Sequence, residues 1–98
     1  MNIKVKNLTS ERSGREVSNQ FDINIKTEKE ELRIFQSYET LIAKIVITRS
    51  VFETHLDTYA LDYSRTTSKY LYKWLGLDRK QILERIESKQ IILTDLNK

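Results

Sequence analysis

The chain has 98 residues, 39% of them hydrophobic and 32% charged, with a net charge of +3. That balance fits one folded soluble core of modest size and excludes a disordered tail. Cysteine and proline are absent and glycine occurs twice, which rules out disulfide staples, thiolate metal sites and a glycine-rich nucleotide loop. No apolar run approaches the roughly 20 residues of a bilayer span. The start, Met1 to Asn7, lacks the apolar stretch of a secretory signal. A cytoplasmic protein with no membrane partner is expected, and its mild positive charge permits, without requiring, contact with phosphates or an acidic protein surface.

Residues 2–8 alternate Ile3 and Val5 with Lys4 and Lys6, the pattern of a short strand. Residues 9–16 carry no apolar side chain and read as a loop. Residues 1–16 are therefore an N-terminal strand or flexible arm, ahead of a domain at 17–98. From Val17 the alternation sharpens: Phe21, Ile23 and Ile25 point one way, and Gln20, Asp22, Asn24 and Lys26 the other, as in a half-buried strand. The charged run 27–31 predicts a turn. Leu32, Ile34 and Gln36 then share one face of a second strand, with Arg33 and Phe35 on the other. The two strands are expected to form an antiparallel hairpin.

Ser37 and the residues after it allow a short helical turn at 38–43, followed by a β-branched strand through Thr48. Residues 50–61 read as two short strands around Asp57 and Thr58. Within them Glu53, His55 and Asp57 alternate, so one strand face brings together the only histidine and two carboxylates. Such a face can hold a divalent metal, and a metal-dependent hydrolase is the chemistry it would serve. The preferred reading is an exposed polar face opposite Phe52, Thr54 and Leu56. With no second histidine to activate Ser64, Thr67 or Ser68, no catalytic set, cofactor or metal is expected.

A helical pair follows. Thr67, Tyr70, Leu71, Trp74 and Leu75 recur at three- and four-residue spacing and form an apolar stripe. Ser64 or Thr66 supplies the N-cap, and Gly76 stands where a left-handed terminating residue belongs. Asp78 with Gln81 completes a capping box for a second helix buried through Ile82, Leu83 and Ile86. Residues 88–90 end it, and Ile91 to Leu93 form a last strand. The fold class is α+β: a small antiparallel sheet, a helical pair packed on one of its faces, and a final short strand.

The stripe assigns Tyr70 and Trp74 to the core rather than to base stacking, and Tyr63 is expected to staple onto Thr67 or Tyr70. The opposite face of the first helix carries Arg65, Ser68, Lys69, Tyr72 and Lys73, cations beside hydroxyls that suit phosphate or carboxylate contact. Arg79 and Lys80 start the second helix and form a second cluster. Together with Gln81 they are residue types able to read a major groove, and the helical pair has the spacing of a helix-turn-helix. Glu84 and Glu87 on the same helix weigh against that use, and any αα-hairpin shows the same spacing.

Phe35-Gln36-Ser37-Tyr38, Leu41-Ile42-Ala43-Lys44-Ile45 and the run from Asp62 to Tyr70 resemble, in order and content, a family of small phage and mobile-element proteins grouped as being of unknown function. The resemblance spans about residues 18–93. The first sixteen residues fall outside it, and 48–60 look longer than the family's usual turn. It implies a phage protein acting in a bacterial cytoplasm by binding, for example an inhibitor of a defence system such as CRISPR or a modulator of host replication or transcription. The leading expectation is a non-enzymatic binding protein for a host protein or nucleoprotein, contacting it through Arg65, Ser68, Lys69, Tyr72, Lys73, Arg79 and Lys80. The second is a DNA- or RNA-binding module using the helical pair 65–88.

Overall fold

A computed structural model describes residues 1–10 and 12–98. Five antiparallel strands run as a meander: β1 (Asn2–Thr9), β2 (Glu16–Lys26), β3 (Glu30–Ser37), β4 (Thr40–Thr48) and β5 (Phe52–Asp57). Helices α1 (Arg65–Leu75) and α2 (Arg79–Glu87) follow and return the chain to β6 (Ile91–Thr94), which pairs with β5 in parallel. The α+β class is as expected. The sheet is mixed rather than purely antiparallel, because a helical crossover brings the chain back to run in the same direction as β5. β1 pairs with β2 from Asn2↔Lys26 through Asn7↔Phe21, so the N-terminal strand extends the same sheet.

Two local expectations are corrected. The segment 38–43 is not a helical turn. Ser37 pairs with Thr40 across a two-residue hairpin turn, Tyr38-Glu39, with Tyr38 in the left-handed region at φ 56. The serine hydroxyl read as a helix cap instead meets the Thr67 hydroxyl at 3.0 Å. Residues 50–61 hold one strand, not two. Asp57 ends β5 by accepting the Tyr59 amide at 3.2 Å on its own carboxylate and the Ala60 amide at 2.9 Å on its carbonyl, which curls the chain into a turn.

The helix ends follow from the chain's own side chains. Ser64 caps α1, accepting from the Thr67 amide at 3.1 Å. Gly76, at φ 71, terminates it, with the amides of Gly76 and Leu77 both donating to the Tyr72 carbonyl. Asp78 and Gln81 form the expected reciprocal capping box, at 2.8 and 2.9 Å. Ile82 is fully buried, but Leu83, assigned to the same buried face, is 46% exposed. α2 lies at the β6 border of the sheet, and there only the narrow stripe through Ile82 and Ile86 reaches the core.

Cross-strand partners share a sheet face, so the register sorts every strand residue. Asp22, Phe35, Ala43 and Leu56 lie in one row. Trp74 of α1 stacks on Phe35 at 6.2 Å between ring centroids, and its Nε1 donates to Asp22 at 3.0 Å. This is the helix-covered face. A β-bulge at Ile42, between the pairs Phe35↔Ala43 and Gln36↔Leu41, buries two consecutive β4 residues, Ile42 and Ala43.

By the same pleat, Phe21, Ile23 and Ile25 stand on the opposite face, which carries no helix. The alternation in β2 is as read, yet its polar side, not its apolar side, faces the helices. Gln20 shows the result: it is 1% exposed, and its side-chain oxygen has no hydrogen-bond partner among the described residues. Replacing an unsatisfied buried amide by an apolar group of similar shape is close to neutral or stabilising. Gln20→Leu should therefore keep or raise the unfolding free energy measured in urea, by up to about 1 kcal/mol. A clear loss would show that the buried Gln20 amide is satisfied within the folded chain, by a bound water for example.

Candidate partner-binding site

An open groove runs between the turn at 61–64, the outer face of α1 and the start of α2. Six of the seven residues singled out from the sequence line it: Arg65, Ser68, Lys69, Tyr72, Lys73 and Arg79. Lys80 lies beyond its rim, exposed on α2. Helical periodicity explains the convergence, because residues 65, 68, 69, 72 and 73 are one ridge of α1. The αL turn at Gly76 then brings Arg79 to the same groove.

Charge in the groove is predominantly positive. Arg65, Lys69, Lys73 and Arg79 face two carboxylates, Asp62 and Asp78, and Asp78 is engaged in the capping box. Lys69 holds its ammonium 5.7 Å from the centroid of the Tyr70 ring, a cation–π contact. The Lys73 ammonium donates to the Thr9 carbonyl at the end of β1, which fixes that side chain over the sheet. Among the described residues, Arg65 and Arg79 have no ion-pair partner. Two guanidiniums free to form bidentate contacts are suited to carboxylates or phosphates.

The hydroxyls are more committed than the sequence implied. Thr67 is buried, joined to Ser37 at 3.0 Å and to Ser64 at 3.1 Å. Tyr72 is half-buried against the core rather than directed outward, because α1 is covered along more than its apolar stripe. Tyr70 is buried in the core cluster and Trp74 packs against it, as the stripe predicted.

The Tyr63 hydroxyl donates to Asp57 Oδ2 at 2.6 Å. Asp57 is 2% exposed, so it does not belong to an exposed polar face with Glu53 and His55. Its carboxylate also accepts the Leu96 amide at 3.1 Å and the Asn97 side-chain amide at 3.1 Å. Burial pushes the Asp57 carboxyl up, but the Tyr63 hydroxyl, the Leu96 and Tyr59 amides and Asn97 together hold it below the usual carboxylate value. Tyr63 is correspondingly raised to about 12, by burial and by the adjacent carboxylate. His55 meets Thr94 Oγ1 at 2.9 Å through Nδ1, and its Nε2 lies 3.5 Å from Glu53. The three residues do not converge, and among the described residues no group of three ligating side chains is placed to hold a metal.

A second charged surface was not legible in the sequence. Lys4, Lys6, Lys26 and Arg33 line a trough on the helix-side face of β1–β3, together with Asp22, Asn24 and Glu31. Lys6 lies 3.9 Å from Asp22, and Asn24 donates to Glu31 at 2.6 Å. Only the register of three strands brings these side chains together.

A mixed β-sheet bearing a crossover helical pair, with a basic groove on the helices, defines the class of the protein. The chain belongs to the family of unknown function DUF8033, whose pattern it matches over residues 3–92. The match takes in β1, farther toward the N-terminus than the motifs suggested. The chain matches no curated protein and no solved structure. Among the described residues no helix is long and apolar enough to cross a membrane.

Proposed function

We propose that this protein is a non-enzymatic binding module, encoded by a phage or mobile element, that inhibits or modulates a host protein or nucleoprotein by engaging an acidic surface in the α1–α2 groove. The observation that carries this reading is the convergence of Arg65, Lys69, Lys73 and Arg79 on one open groove in which only Asp62 is a carboxylate not used in capping. Ser68 and Tyr72 line the same groove, and Lys80 extends its charge along α2. Two guanidiniums free to fork onto carboxylates, with Lys69 and Lys73 adding positive charge beside them, suit an acidic partner better than any bond-breaking chemistry, which would need a base within reach of a nucleophile. The motif likeness to phage proteins supports the origin and the choice of a host target.

The decisive variant is Arg65→Glu combined with Lys69→Glu. Both side chains are exposed, so the melting temperature should stay within a few degrees while affinity for the captured partner falls by about 100-fold or more. The measurement is tagged capture from a bacterial host lysate with mass spectrometry, repeated with the double variant. An identical set of captured proteins would remove the groove from consideration.

The trough of Lys4, Lys6, Lys26 and Arg33 on the same side of the sheet favours a second reading, a DNA- or RNA-binding module. Phosphate-driven binding weakens steeply with salt. Gel shifts with random duplex and single strands at two salt concentrations separate the readings, and no shift at low salt ends the nucleic-acid one.

A further inference from the structure

The helix-free face of the sheet is aliphatic over its first three strands. The register builds two apolar rows: Ile3, Ile25, Leu32 and Val46 in one, Val5, Ile23 and Ile34 in the next, with Phe21 beyond them. None of these eight side chains packs against the core cluster. Ile3 is 55% and Val5 59% exposed, and the other six are half-buried only by one another and their strands. In a chain that is 32% charged, this face of β1–β3 between Asn2 and Gln36 carries no charged side chain within those rows.

We infer that this face is the interface of a homodimer, in which two sheets pack face to face with the helices outward. Three features select a second copy as occupant. The first is area. Strands about 4.8 Å apart and rows about 6.8 Å apart give a flat footprint on the order of 400 Å² for β1–β4 and 600 Å² for the whole sheet. Side-chain relief raises this towards the roughly 800 Å² per partner of a stable dimer, at the upper limit of what a monomer leaves open. The second is neutrality. An acidic protein or a nucleic acid would meet no cation on the aliphatic rows, whereas an identical aliphatic face meets its own kind. Aligned sheets interlock such rows about 10 Å apart.

The third is the placing of the charged and ionisable side chains on this face, Glu30, Lys44, Glu53 and His55, none of which is set against its like by a second copy. Lys44 and His55 continue the Val5 row, and Glu53 continues the Ile3 row beside Val46. A two-fold axis lying across the strands between these rows sets Lys44 and His55 of one copy over Val46 and Glu53 of the other. The basic surfaces then lie on the two outer faces of the dimer, clear of the interface and of one another. This inference does not depend on the proposed function.

Sedimentation equilibrium of the full chain tests it. A dimer mass is expected, with a dissociation constant in about the micromolar range or tighter. Ile34→Lys, at the centre of the face, should weaken dimerisation by at least about 100-fold while far-UV circular dichroism remains that of the wild type. Should Ile34→Lys unfold, Val5→Lys on the outermost strand, where the side chain is already exposed, serves as the second variant with the same expectation. The Arg65→Glu, Lys69→Glu double variant should dimerise like the wild type, so failure of the dimer and failure of the groove reading are distinguishable. A single-chain mass for the wild type at about 100 µM would overturn the inference and leave the face to a different protein. So would an unchanged dimer in a folded Ile34→Lys or Val5→Lys.

Discussion

Asp57→Ala should cost about 3–5 kcal/mol of stability, a large part of the 5–15 kcal/mol that a domain of this size has in total. The carboxylate accepts four hydrogen bonds from three parts of the chain: the Tyr59 turn after β5, Tyr63 ahead of α1, and Leu96 and Asn97 in the C-terminal segment. Asn97 in turn pairs with both the amide and the carbonyl of Leu41 at the start of β4, at 2.8 and 3.0 Å. Removing the carboxylate leaves several donors unpaired around a site where Asp57 itself is 2% exposed, and that is the costly way to lose a hydrogen bond. Thermal unfolding reads the result as a fall in Tm of roughly 15 °C or more. A fall of only a few degrees would mean that the donors find water instead.

The same site sets a pH signature. The Asp57 carboxyl is lowered in the folded state, so its contribution is full above the unfolded value of 3.8 and is lost as pH falls through the folded value. Tyr63 is raised to about 12 from 10.0. Its contribution is full below pH 10.0 and fades as pH rises towards about 12. The wild type should lose stability at both ends, and Asp57→Ala should flatten the part of both slopes that these two groups supply.

What the sequence made legible was local. Ser64, Gly76 and the Asp78–Gln81 pair act within one helical turn of where they stand, so their roles follow from spacing alone. The groove was legible for the same reason, as a ridge of α1 plus the first turn of α2. The clamp at Asp57 was not, because its partners Leu96 and Asn97 are distant in sequence and the chain must fold back to bring them together. Nor was the bulge at Ile42, which needs β3 as a ruler. What the pattern of β2 and β3 left open is which side the helices cover. Their alternation was correct, but an alternating strand does not say which side will meet the helices. Trp74 settles it: its ring needs Phe35 beneath it and its N–H needs the Asp22 carboxylate, and both stand on the polar side of the β2 pattern.

That inversion makes a sharp comparison of two adjacent residues. Phe35→Ala should destabilise by about 3–5 kcal/mol, because it removes a fully buried ring and leaves a cavity under Trp74 and α1. Ile34→Ala, one residue earlier on the same strand, should cost about 1 kcal/mol or less in the isolated chain, since its side chain lies on the helix-free face and is only half-buried. Urea unfolding at protein concentrations well below the dimer dissociation constant, where two copies are apart, measures both. Equal costs would put Ile34 in the core and overturn the assignment of faces. Repeating the measurement at high protein concentration adds a second readout. The cost of Ile34→Ala should then grow, because dimerisation stabilises the folded chain by mass action, and the cost of Phe35→Ala should fall or stay the same, since its ring faces away from the second copy. An Ile34 penalty that rises with concentration beside a Phe35 penalty that does not would place the two hydrophobic faces of one thin sheet in different roles, one holding the fold and the other holding its partner.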